Sequence, residues 1–112
     1  MFVGVLRLAF HVPHARSLKD KRSVVRRFRD RVRSRFDVSI AEVDAQDLLQ
    51  RAVFGVSVVS SEAKVCDSVL AQVARAAELQ EDAVLTDRST EVISLGDELF
   101  GDPASFAGEH EA

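Results

Sequence analysis

Five cations in the first third of the chain have the types and spacing best suited to chemistry. Lys19, Arg22, Arg26, Arg29 and Arg33 recur at steps of three and four, the spacing that stacks side chains on one face of an α-helix. Arg27, Arg31 and Arg35 flank them. A solvated helix normally intersperses Glu to gain pairs four residues apart, whereas here like charges neighbour and repel one another. Phosphates, an acidic protein partner or the chain's own acidic end would compensate them; a merely solvated, Arg-rich face is the alternative. Guanidinium groups suit bidentate phosphate contacts, and the preponderance of Arg over Lys therefore leans towards nucleic acid.

A second polar cluster is Glu42, Asp44, Gln46, Asp47, Gln50 and Arg51. In a hairpin it could form a partner-recognition loop or hold a cation. The structural reading is preferred: Asp44 and Asp47 bond the turn backbone and Arg51 neutralises them. His11 and His14 are too few for zinc, and Cys66 falls on an apolar helix face, so no metal site is expected. No nucleophile beside a base and no P-loop is visible, and no cofactor is implied.

The elements that must position these residues follow from periodicity. Phe2, Gly4, Leu6, Leu8 and Phe10 alternate with Val3, Val5, Arg7, Ala9 and His11, which predicts a strand ending at Pro13. Ser17 caps a helix, with Asp20 as its partner, and Leu18, Val25, Phe28, Val32 and Phe36 form its apolar stripe. Asp37 to Val43 reads as a second strand and Ala52 to Val59 as a third. Ser60 and Ser61 offer caps to a second helix, whose stripe runs through Val65, Val69, Val73 and Ala76. Val84 to Leu95 alternates less regularly, slipping between Thr86 and Glu91, which predicts an edge strand with a bulge.

The order βαββαβ predicts an α+β, ferredoxin-like sandwich: a four-stranded antiparallel sheet with both helices on one face. Residues 1–95 form that domain, and 96–112, acidic and turn-rich, form a flexible tail with Leu99, Phe100 and Phe106 as its anchors. Val3, Val5, Ala9, Val53 and Val59 would lie on the uncovered sheet face, which predicts self-association as at least a dimer. RNA-recognition domains of this topology stack bases on aromatics of the central strands. Arg51 to Val58 loosely resembles their third-strand motif, but its outward positions carry no aromatic. Acylphosphatases share the topology too, yet Val12 to Arg16 has no glycine and the chain contains no asparagine.

Composition adds bounds. The 112 residues are 46% apolar, enough for one core and not for two. The net charge of −3 hides an asymmetry: ten of the fifteen Lys and Arg lie between Arg16 and Arg35, and nine acidic residues with only Arg88 follow from Glu81. The single cysteine and the absence of a secretory signal or a membrane-spanning run predict a soluble protein of a reducing cytoplasm.

Two blocks resemble the YlxP-like family, a bacterial family of unassigned function. One is His11-Val-Pro13 with Ser17-Leu-Lys-Asp-Lys-Arg-Ser-Val-Val25; the other is Val38-Ser-Ile-Ala-Glu-Val-Asp44 with Gln46-Asp-Leu48 and Gln50-Arg-Ala-Val53. The resemblance covers Met1 to about Leu95 and implies the same ferredoxin-like fold. It implies no activity. Members are often encoded beside genes for translation initiation and ribosome maturation, an association rather than a mechanism. The resulting expectation is a non-enzymatic accessory protein that binds structured RNA, in ribosome maturation or translation, through Lys19 to Arg35. The alternative is a homo-oligomeric module that binds an acidic protein.

Overall fold

A computed structural model describes residues 1–96. The elements are β1 (Phe2–His11), α1 (Leu18–Arg35), β2 (Ser39–Asp44), β3 (Arg51–Ser60), α2 (Ala63–Glu78) and β4 (Val84–Ser94). The strands lie in the order β2-β3-β1-β4, each antiparallel to its neighbours. This is the ferredoxin-like α+β fold, with β2 and β4 at the edges. All but the first residue of the acidic segment 96–112 predicted as a tail, with Leu99, Phe100 and Phe106, lies outside the described residues.

The core forms where the strand and helix periods meet. Leu6, Leu8, Phe10, Phe54 and Val56 point from β1 and β3 at Phe28 and Val32 of α1 and Leu70 and Val73 of α2. Phe10, Phe28 and Phe54 form an edge-to-face triad with centroids 5.0 to 5.8 Å apart. Gly4 faces α2 so closely that a Cβ there would lie 2.8 Å from Leu70 Cδ1 and 3.0 Å from Cys66 Cβ. A side chain at that position would crowd Leu70 and Cys66, so the strand and helix can approach this closely only over glycine.

Local chemistry sets the element ends. Ser17 Oγ accepts from the Asp20 N–H at 3.1 Å, and Asp20 Oδ2 accepts from the Arg16 N–H at 3.1 Å. This is a displaced form of the capping box. The second helix departs from expectation: Glu62 is its N-cap and makes no side-chain cap bond. Ser60 Oγ instead accepts from the Glu62 N–H at 3.1 Å, one step ahead of the helix. The bulge predicted in the last strand falls at Thr86, where the pairing with β1 slips between Ala9 and Phe10. The Thr86 hydroxyl donates to the Ala9 carbonyl there.

The outer sheet face departs in part from expectation. Val59, Val3 and Ile93 stand abreast on β3, β1 and β4, with Val5 one step further along β1. Val5, Val59 and Ile93 are exposed, but Ala9 and Val53 are buried within the chain itself. Val43 folds across Gly55, its Cγ1 3.0 Å from where a Cβ would stand. No helix among the described residues is long and apolar enough to cross a membrane.

Candidate nucleic-acid interface

Helix α1 buries Val25, Phe28 and Val32, and the five cations lie to one side of that stripe. Lys19, Arg22, Arg26 and Arg33 are exposed, while the side chain of Arg29 is 34% exposed. This flank adjoins β2, because Arg33 Nη2 donates to the Ile40 carbonyl at 3.3 Å. Arg29 stands 3.6 Å from Asp30, and its Nε is buried without an acceptor. Among the described residues no carboxylate pairs with Lys19, Arg22 or Arg26. The five residues are thus brought together, with three unpaired among the described residues and two partly tied to the fold.

The flanking arginines do not widen this stripe. Arg27 leaves on the other side of α1 and grips Asp82, with Nε 3.0 Å and Nη2 2.6 Å from the same carboxylate oxygen. Burial pushes the Asp82 carboxyl up, but hydrogen bonds from Gln80 and Arg27 and the Arg27 charge outweigh it. The carboxyl is therefore held below its ordinary value of 3.8. Arg35 lies over the Phe36 ring, 5.4 Å from its centroid. A charge pattern read along the sequence cannot separate these sides, since the partner of Arg27 comes from the turn before β4.

The hairpin cluster turns out to be a clamp. Asp44 Oδ1 accepts from the Ala45 N–H at 2.7 Å, and Ala45 has a φ of 60°, in the left-handed region. Gln50 Nε2 donates to the Pro13 and Ala15 carbonyls, and its own carbonyl accepts from the Val12 N–H at 2.9 Å. His11 Nδ1 lies 3.1 Å from that same carbonyl. Asp44 thus bonds the turn backbone, as the structural reading expected, while Gln50 and His11 tie the β2–β3 turn to the β1–α1 loop. Arg51 does not neutralise Asp44 or Asp47: among the described residues it pairs with neither, and the side chains of Gln46 and Asp47 bond nothing. No group of three potential metal ligands occurs among the described residues.

The residue missed by pattern reading is Lys21. It is 2% exposed on the inner face of α1, with Nζ 3.1 Å from Glu42 Oε2. The same ammonium donates to the carbonyls of Ala45 and Gln46. A lysine among arginines reads as surface charge; only the missing apolar residue between Leu18 and Val25 in the stripe could have marked it. The β1–α1 loop is likewise satisfied internally, with the Arg16 N–H taken by Asp20 and the Ala15 N–H directed at the Val12 carbonyl.

The chain is 51% identical over 47 residues to the uncharacterized protein YlxP of Bacillus subtilis. That match covers 42% of this chain and 51% of the relative, so the chain spans about half the length of the curated relative it matches. The family model described as a protein of unknown function, DUF503, matches residues 3–90, from the start of β1 past the β4 bulge, and the chain belongs to that family.

Proposed function

We propose that the protein is a non-enzymatic, cytoplasmic accessory factor that binds structured RNA, on the ribosome or its precursors, through the β2 side of α1. One observation carries this reading: Lys19, Arg22 and Arg26 are exposed and unpaired among the described residues, while Arg27, one step away, is paired. On the opposite side of α1 Arg27 is engaged by Asp82, whereas these three neighbouring cations meet no carboxylate among the described residues, which supports an anion as their partner. Phosphates suit it because guanidinium forks bind them bidentately and a nucleic-acid strand presents them in series. The β1–α1 loop supports the non-enzymatic reading, since its Arg16 and Ala15 amides already have internal acceptors and offer no open phosphate cradle.

The test is binding to ribosomal RNA fragments, followed by fluorescence anisotropy over a salt series. Each phosphate neutralised contributes a log–log slope of roughly −0.7 to −0.9. Replacing Arg22, Arg26, Arg29 and Arg33 together by Gln keeps helix propensity and removes the charge. Affinity should fall on every sequence tested, with no change of preference. The reading fails if the wild-type protein binds no RNA at low ionic strength, or if the quadruple variant binds as well. An acidic protein partner lost by that variant, with RNA binding absent throughout, would identify the stripe as a protein-docking surface.

A further inference from the structure

The groove between the two helices is lined by Arg35, Phe36, Gln72, Arg75, Ala76 and Leu79 and encloses about 230 Å³. Its composition differs from the rest of the helical face. Two guanidiniums reach it from different helices, and no carboxylate lines it. Among the described residues neither Arg35 nor Arg75 has an ion-pair partner. The rest of the lining is largely apolar: Ala76 is buried, Phe36 is half-buried beneath Arg35, and Leu79 stands 64% exposed at the rim. The volume falls below the roughly 300 Å³ at which sites for drug-sized ligands begin, and suits a single ring system.

We infer that this groove takes one unpaired nucleotide of the bound RNA, its base against the Arg35–Phe36 stack and Leu79 and its phosphate on Arg75. The inference rests on the RNA-binding reading and deepens it from any duplex to RNA with a base free to leave its stack. An aromatic or guanidinium plane is what proteins use to hold such a base. The outer sheet face offers none, whereas Phe36 and Arg35 present one on the helical side. Charge complementarity selects the occupant: two unpaired cations beside an apolar floor match a base with its phosphate and disfavour a purely apolar segment. Access from the basic stripe is short. Arg33 and Arg35 lie on opposite flanks of the last turn of α1 with exposed Ser34 between them, so a strand can cross the helix there.

The experiment compares two RNA hairpins with the full chain, one fully paired and one identical but for a single bulged adenosine. The bulged RNA should bind about tenfold tighter, the order of one stacked base. Arg75→Gln and, separately, Arg35→Gln should abolish that gain while leaving the fully paired RNA bound, since both positions are exposed and Gln keeps helix propensity. Titration of the isotope-labelled chain with AMP should move the amide resonances of Gln72 and Ala76. Equal affinity for the two hairpins overturns the inference and leaves the phosphate-binding reading standing, as does a gain that survives both substitutions. If neither hairpin binds, the RNA reading itself fails and the inference with it.

Discussion

The Lys21 ammonium sits 3.1 Å from a Glu42 carboxylate oxygen, joining the inner face of α1 to edge strand β2. Lys21 is the only charged residue that is fully buried among the described residues. The pair is asymmetric, because the Glu42 side chain remains 21% exposed while the lysine is sealed. Burying a cation this completely is costly unless every proton finds an acceptor. The carbonyls of Ala45 and Gln46 accept two of its protons, and Glu42 Oε2, buried with no hydrogen bond of its own, faces the ammonium as an ion pair beside the left-handed Ala45.

Lys21→Ala should therefore destabilise the fold by about 2–4 kcal/mol, through the stranded carbonyls, the lost pair and the cavity together. Lys21→Met refills the space and should recover part of the loss. Glu42→Gln should cost less, about 1 kcal/mol, because that side chain is partly exposed and an amide oxygen can still face the ammonium. Urea unfolding followed by far-UV circular dichroism measures all three; equal stability of Lys21→Ala and wild type would contradict the clamp.

Acid should find a second weak point at Asp82. Its folded-state pKa lies below the ordinary value of 3.8, so its contribution is complete above that value and is lost as pH falls through the lower folded value. Asp82→Asn should thus lower stability at neutral pH and flatten the acid limb of the stability curve. Arg27→Gln should do the same by removing the charge and two hydrogen bonds, while leaving affinity for RNA unchanged. Its retained affinity would separate the paired side of α1 from the basic stripe.

Gly4→Ala should cost about 1–3 kcal/mol, because the added methyl meets Leu70 Cδ1 and the less movable Cys66 Cβ. Leu70→Val in the same chain should make the glycine substitution cheaper, a coupling that a double-mutant cycle detects. Additive losses would mean that the helix shifts as a body.

The exposed valines of the outer sheet face should make the free protein at least dimeric at tens of micromolar. Val5, Val59 and Ile93 offer an apolar surface that the helices cannot reach, and burial returns about 25 cal/mol per Å². Light scattering should give a mass of two chains or more, and Val59→Lys should lower it to one. A monomeric wild type removes the idea.

How far this molecule was legible in its sequence depends on whether a feature is periodic. The alternation of Phe2 to His11 and the helical stripe at Val25, Phe28 and Val32 announce their elements because burial repeats with the backbone. The bulge at Thr86 is legible for the same reason, as a break in the repeat. Lys21, Gln50 and Arg27 are not, because their roles are set by partners 21, 37 and 55 residues away, at Glu42, Pro13 and Asp82. The stripe itself was visible; which of its neighbours were already taken was not. The expected pairing of Arg51 with Asp44 and Asp47 does not form, because Asp44 turns to the Ala45 N–H and closeness in sequence is not closeness across a turn.

Placing both helices on one side of the sheet has a further consequence for how the protein would engage a large ligand. A second copy seated on the outer face would leave each α1 on the outside of the pair, so the pair would carry two separate basic stripes. Such a particle would be a bivalent clasp, able to bridge two segments of one folded RNA, the second contact being made at the high effective concentration set by the first. Avidity would then let stripes of modest individual strength discriminate a compact, correctly folded RNA from the same sequence unfolded.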